Sequence, residues 1–192
     1  DAGAQFSLGK IYYHGNGVIQ NKATAAEWYR KAAEQGYADA QINLGYMYYH
    51  GEGVTQNKAT AVEWYRKAAQ QGDAGAQFSL GKIYYHGNGV TQNKATAAEW
   101  YRKAAEQGNA DAQYSLGYMY DSGEGVTQNS IEAAELFYKA AQQGNADAQL
   151  SLGYKYHNGK GVPKNKAVAI KWFKKAAANG SIKAKLLLDG LQ

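Results

Sequence analysis

DAGAQFSLGKIYYHGNGVIQNKATAAEWYRKAAEQG, residues 1–36, decides the fold, because residues 73–108 repeat it with one change, Ile19 to Thr91. Residues 37–72, 109–144 and 145–180 are looser copies in the same 36-residue register. A fixed period of roughly 20–50 residues marks supersecondary units that stack. Each unit buries its apolar face only against its neighbours, so five in succession specify one elongated array over residues 1–192. Arrays of this kind are binding surfaces more often than catalysts, and the reading of function starts from there.

Within the first repeat, Ala4, Leu8, Ile11 and Tyr12 stand three and four apart, which puts them on one face of a helix A running from about Ala2 to His14. Gly15 and Gly17 end it. Asn21, with equivalents Asn57, Asn93, Asn129 and Asn165, is placed to cap a second helix with its side-chain oxygen. This helix B is expected over Lys22 to Gln35, with Ala25, Ala26, Trp28, Tyr29, Ala32 and Ala33 on its apolar side. Gly36 and its equivalents Gly72, Gly108, Gly144 and Gly180 suit a left-handed stop. Asp73, Asn109 and Asn145 are then placed to cap the next helix A. The second repeat should carry helices over 37–50 and 58–71, with Trp64 buried between them.

Gly9 lies inside helix A, where glycine is unfavourable by about 1 kcal/mol relative to alanine. It recurs as Gly45, Gly81, Gly117 and Gly153. Close approach of an aromatic ring from helix B accounts for the recurrence. A sixth unit is only begun. Residues 181–192 read as a terminal cap, with Ala184 and Leu188 facing the fifth repeat and Asp189 where the glycine would stand.

Composition narrows the class. Hydrophobic residues are 45% and aromatics 13%, ample for a packed core, and a single proline, Pro163, leaves long helices unbroken. The net charge of +5 is spread over the repeats, and no block of like charge marks a nucleic-acid arm. No cysteine is present, which removes disulfides and thiolate metal sites. That fits a reducing compartment without demanding one, so the compartment stays open. No apolar run approaches the roughly 18 residues of a membrane span. The chain opens at Asp1 inside a repeat, as a processed protein or an excised fragment would.

The segments Ala4-Gln5, Leu8-Gly9, Tyr12, Gly15, Gly17-Val18, Trp28-Tyr29, Ala32-Ala33 and Gly36 together resemble the Sel-one-like repeat (SLR) family, relatives of tetratricopeptide arrays. The fourth repeat departs most, with Leu136-Phe137 for Trp-Tyr and Ser130-Ile131-Glu132 for Lys-Ala-Thr. The resemblance covers the whole chain. It implies an all-α, right-handed α/α superhelical solenoid of five helix-turn-helix repeats plus a C-terminal half-repeat, acting as an adaptor for other proteins. The bridges of the family's cysteine-rich branch cannot form here. The near-identity of repeats one and three fits either a 72-residue block duplication or consensus design; the ADAQ and LGYMY shared by repeats two and four, and the divergence of repeats four and five, favour duplication.

His14, His50 and His86 recur at the end of helix A, but a step of about 10 Å per repeat, from helix packing distances, leaves them too far apart to share a metal. Zinc–nitrogen bonds are about 2.1 Å. They read as loop-edge residues. Gly15-Asn16-Gly17 lacks the strand and the Gly-Lys-Ser/Thr of a phosphate loop. Glu27 and Arg30 read as a solvated surface pair. No nucleophile, acid–base pair, metal cluster or cofactor motif is found, so neither an enzyme nor a cofactor is expected. Two rival readings are a hydrolase akin to the cysteine-rich relatives and a peptidoglycan or carbohydrate binder.

A projection of helix A at about 100° per residue sets positions 3, 6, 10 and 13 opposite Leu8. These positions vary between repeats while the core positions hold. Tetratricopeptide resemblance places helix A on the concave side. The candidate partner-binding residues are accordingly Lys10, Tyr13, Tyr46, Tyr49, Lys82, Tyr85, Tyr114, Tyr118, Asp121 and Tyr154. Tyrosine offers large contact area at low rotamer entropy. A protein or peptide partner held in a groove is the expected function, with no nucleic acid and no membrane insertion. A bacterial immunity or effector-binding protein is one specific form of it. Lys67 and Gln71 are expected on the far side.

Overall fold

The structure, a computed structural model, describes residues 1–189; residues 190–192 and the Asp189 side chain, both in the expected cap, lie outside the described residues. Among the described residues there are eleven α-helices and no strand. Helix A of each repeat is α1 (Ala2–His14), α3 (Ala38–His50), α5 (Ala74–His86), α7 (Ala110–Ser122) and α9 (Ala146–Asn158). Helix B is α2 (Lys22–Glu34), α4 (Lys58–Gln70), α6 (Lys94–Glu106), α8 (Ser130–Gln142) and α10 (Lys166–Ala178), and α11 (Ile182–Asp189) follows. The chain divides into two compact units, Asp1–Asn93 with α1 to α5 and a second from Lys94 onward with α6 to α11.

The helix limits are written in capping chemistry. Asn21 accepts from the Thr24 N–H at 3.0 Å, Asn57 from Thr60 at 3.1 Å and Asn165 from Val168 at 3.0 Å. Asp73, Asn109 and Asn145 do the same for α5, α7 and α9. At the far end, Gly36 adopts φ +88°, its N–H donates to the Ala33 carbonyl, and the Tyr37 N–H donates to Ala32. That pair of bonds is a Schellman motif, which satisfies two carbonyls the helix leaves free.

In the first unit the core forms around Ala25, Ala26, Tyr29, Ala32 and Ala33 of α2 with Ala40, Leu44 and Met47 of α3. Alanine on both sides brings the helices close, and one tyrosine per repeat fills the remaining space. That tyrosine explains the mid-helix glycine. A Cβ on Gly9 would lie 2.5 Å from the Tyr29 ring, and one on Gly117 2.9 Å from Phe137. Gly45 faces Tyr65, and Gly153 faces Phe173. In the second unit Phe137, Leu152 and Trp172 fill one cluster, while Leu150, Phe173 and Ala184 join α9, α10 and α11 in another. Leu187 and Leu188 pack on that last cluster, so α11 caps the fifth repeat.

Three expectations need correction. Trp64 is half-buried, with the Lys67 ammonium 4.0 Å above its ring, and the buried aromatic is its neighbour Tyr65 at 6% exposure. Helix B turns Tyr65 inward over Gly45 and leaves Trp64 at the edge. Arg30 does not remain a solvated partner of Glu27: it donates to the Tyr48 hydroxyl of the next repeat at 2.8 Å, as Arg66 does to Tyr84 and Arg102 to Tyr120. Gln71, expected to be a silent surface position, donates to Gln41 Oε1 at 2.8 Å. The Gln41 amide in turn donates to the Ala33 carbonyl of the preceding repeat at 3.0 Å. Gln113 with Gln143 and Gln149 with Asn179 repeat the arrangement in the second unit. A buried amide must be fully bonded, and these ladders do it while tying successive helix pairs together.

One polar intrusion breaks the apolar column. Lys155 stands where Ile11, Met47, Ile83 and Met119 stand in other repeats; it is 4% exposed and ion-paired with Asp121 of α7. Replacing a buried ion pair by apolar residues is often neutral or stabilising, whereas removing one partner strands a charge. Lys155→Met is therefore expected to leave the melting temperature unchanged or raise it. Asp121→Ala is expected to cost about 1–2 kcal/mol, discounted because Asp121 is itself part-exposed. Urea titration of both variants checks the sign difference.

Candidate protein-binding face

The variable helix A positions divide: Leu150 is buried in the last core cluster and Phe6, Tyr13 and Tyr114 pack against core residues, whereas Tyr46, Lys10, Lys82, Tyr118 and Tyr154 are exposed. In the first unit Tyr46, Tyr49, His50, Tyr65, Lys82 and Ile83 line a hollow of about 240 Å³ between α3 and α5. The His50 ring lies 4.3 Å from Tyr46 and 5.0 Å edge-on to Tyr49. The Lys58 ammonium sits 5.5 Å from the Tyr49 ring centre. A second hollow of about 370 Å³ lies between α1 and α3, lined by Phe6, Lys10, Tyr13, His14, Asn43 and Tyr46. Tyr46 borders both. His50, the exposed last residue of α3, stands at the loop edge as expected and also lines the first hollow.

Other candidates are committed to structure. The Tyr13 hydroxyl donates to Glu52 at 2.7 Å, and Lys22 donates to the same oxygen at 2.8 Å. The bond to Glu52, with burial and the carboxylate's charge, pushes the Tyr13 pKa up to about 12. Lys22 and then Tyr13 hold the Glu52 carboxyl below its ordinary range. This triad joins the first repeat to the second. Tyr114 is half-buried against Phe137, with ring centres 5.8 Å apart, and burial raises its hydroxyl pKa. Asp121 pairs with Lys155, and both line a smaller hollow of about 180 Å³ with Ser151 and Tyr154.

Tyr118 and Tyr154 are open, at 46% and 40% exposure, and Tyr154 meets Phe173 edge-on at 5.4 Å. Tyr85 is half-buried beside His86, at 5.0 Å. Lys10 and Lys82 are exposed. Among the described residues no group of three or more His, Cys, Asp or Glu is placed to hold a metal, and no helix is long and apolar enough to cross a membrane. Sequence reading passed over Glu52 and Lys155. The signal for Lys155 was present: its column is otherwise Ile or Met, and Asp121 breaks a tyrosine-rich column one repeat earlier.

The Sel1 repeat matches five times, at residues 2–37, 38–73, 74–109, 110–145 and 146–181. The chain belongs to the Sel1-repeat family. Proteins of this family are helical solenoids that generally mediate protein–protein interactions and are generally non-catalytic. Among solved structures the chain is similar to c5321, a protective antigen of uropathogenic Escherichia coli strains with an SLR fold. Identity is 43% and the TM-score 0.93, over 95% of this chain and 39% of that one. The chain thus spans well under half of that relative. It is also similar to a Sel1 repeat protein from Oxalobacter formigenes, at 40% identity and TM-score 0.90, over 100% of this chain and 76% of that one. An immunity protein of Pseudomonas aeruginosa shares the fold at 23% identity and TM-score 0.57, over 95% of this chain and 67% of that one. No curated protein sequence matches the chain.

Proposed function

We propose that this Sel1-repeat chain is a non-catalytic scaffold that binds a protein or peptide segment across its helix A faces. The observation that carries the reading is the hollow walled by Tyr46, Tyr49, His50 and Lys82. Tyr46 is 40% exposed and Tyr49 lies beside it on the wall of the hollow, so aromatic surface is open to a partner there. Binding energy concentrates in a few central aromatic and charged side chains, and partly open tyrosines beside lysine supply both kinds. The narrower form of the proposal is an adaptor or immunity protein that holds a secreted bacterial effector.

The test begins with a partner captured from bacterial lysate and identified by mass spectrometry, then remeasured as a purified pair. Combined Tyr46→Ser, Tyr49→Ser and Tyr118→Ser is expected to abolish binding while helical circular dichroism and the melting transition persist. Lys67→Ser, on helix B, is expected to leave binding unchanged. Full-strength binding by a folded triple variant would place the partner elsewhere. Unfolding of that variant would show that the face belongs to the core.

A further inference from the structure

The two hollows of the first unit share one design. Each has an exposed position-10 lysine, Lys10 or Lys82, whose ammonium rests 5.7 Å and 5.6 Å from the rings of Phe6 and Phe78 respectively. Neither lysine makes an ion pair among the described residues, whereas Lys22 is taken by Glu52. Each hollow also has a histidine at the end of helix A, His14 or His50, and Tyr46 stands between the two. Lys58 adds a further cation at the Tyr49 ring. The opposing carboxylates are Glu52, already bonded to Lys22 and Tyr13, and Asp39, exposed in the first turn of α3. The surface is therefore aromatic, with the Lys10 and Lys82 ammoniums at separate points along it and Lys58 beside the Tyr49 ring.

Resting on the scaffold reading, we infer that the helix A face of residues 1–93 takes an extended acidic peptide segment. Lys10 and Lys82 are two repeats apart. At about 10 Å per step that is roughly 20 Å, and an extended chain rising about 3.3 Å per residue covers it in about six residues. The segment should thus carry two carboxylates about six residues apart, one for each lysine, with an apolar or aromatic residue near Tyr46 between them. A nucleic-acid strand fits less well. It brings one negative charge per roughly 3.4 Å of strand, which the sparse lysines do not match and which Asp39 opposes. The second unit serves as an internal contrast, because its position-10 residues are Tyr118 and Tyr154 and its position-3 residues are Asp111 and Asp147.

Selection of short random peptides on the full chain tests the inference, followed by fluorescence anisotropy of the selected peptides. Enrichment of Asp or Glu pairs at the stated spacing is expected. Affinity should fall about tenfold in the Lys10→Glu, Lys82→Glu double variant, and fall again as salt rises. The side chains are exposed, so circular dichroism should be unchanged. Selected peptides without acidic pairs, the absence of any enrichment, or full-strength binding to the lysine variant would overturn the inference. So would a single-stranded oligonucleotide that binds tighter than every selected peptide. If the lysine variant binds normally while Tyr46→Ser, Tyr49→Ser does not, the acidic partner is rejected and the scaffold reading stands. If neither variant matters, both are rejected.

Discussion

Replacing Tyr65 with alanine is expected to destabilise the chain by about 3–5 kcal/mol, the range for emptying the space of a large buried aromatic. The ring is 6% exposed and presses on Gly45 of α3, where an added Cβ would lie 3.3 Å from it. Burial is also what raises the pKa of its hydroxyl. Little can collapse into the space, because the flanking side chains are alanines, Ala61, Ala68 and Ala69, each already at 3% exposure or less. Trp64→Ala should cost less, about 2 kcal/mol, since its ring is only partly buried at the edge of the core. Urea titration of the two variants checks the order. Hydrogen exchange adds a second check, because nearest-neighbour coupling confines a local loss to adjoining repeats. Protection should drop most in α3 and α4, and an equal loss in every repeat would contradict the coupling argument.

The helices were legible in the sequence because every limit has a local cause. Asn21 supplies a cap, Gly36 a left-handed stop, and the spacing of Ala25, Tyr29 and Ala32 a single apolar face. The ring over Gly9 was legible too, since a glycine held inside a helix needs a reason in space. The contacts between repeats were not. Arg30 meets Tyr48 across 18 residues, and Gln71 meets Gln41 across 30. The partners belong to different helices, so no local rule points to them. The same holds for the candidate face. Projection separated Tyr46 and Lys82 from the core correctly, but it treats Tyr13 and Tyr49 as equivalent. Glu52 engages Tyr13, whereas the residue one repeat on from Glu52 is Asn88, which offers Tyr49 no carboxylate. Which tyrosines remain available for a partner depends on the loop of the following repeat.

The loop glycines hold a second effect of that kind, large enough to measure. Gly17 and Gly125 occupy the same place in their repeats and have nearly the same backbone, φ +76° and +71°. Any side chain there meets left-handed strain of about 1–2 kcal/mol. Among the described residues a preceding helix B lies against Gly125 and none lies against Gly17. A Cβ on Gly125 would lie 2.5 Å from the Lys94 carbonyl carbon and 2.6 Å from its oxygen, while a Cβ on Gly17 would meet nothing within 4 Å. Backbone cannot yield as a flexible side chain can, so the loop between α7 and α8 would have to lift off the start of α6. Gly17→Ala is therefore expected to cost about 1 kcal/mol, and Gly125→Ala at least about 3 kcal/mol once the overlap adds to the strain. Lifting that loop would also disturb the Lys94–Glu124 ion pair, now 2.8 Å. Thermal melts of the two single variants decide the matter. Equal losses would mean that position 17 is glycine only for its turn, and a much larger loss at Gly125 would make it the point where one repeat's loop seats on the backbone of the last.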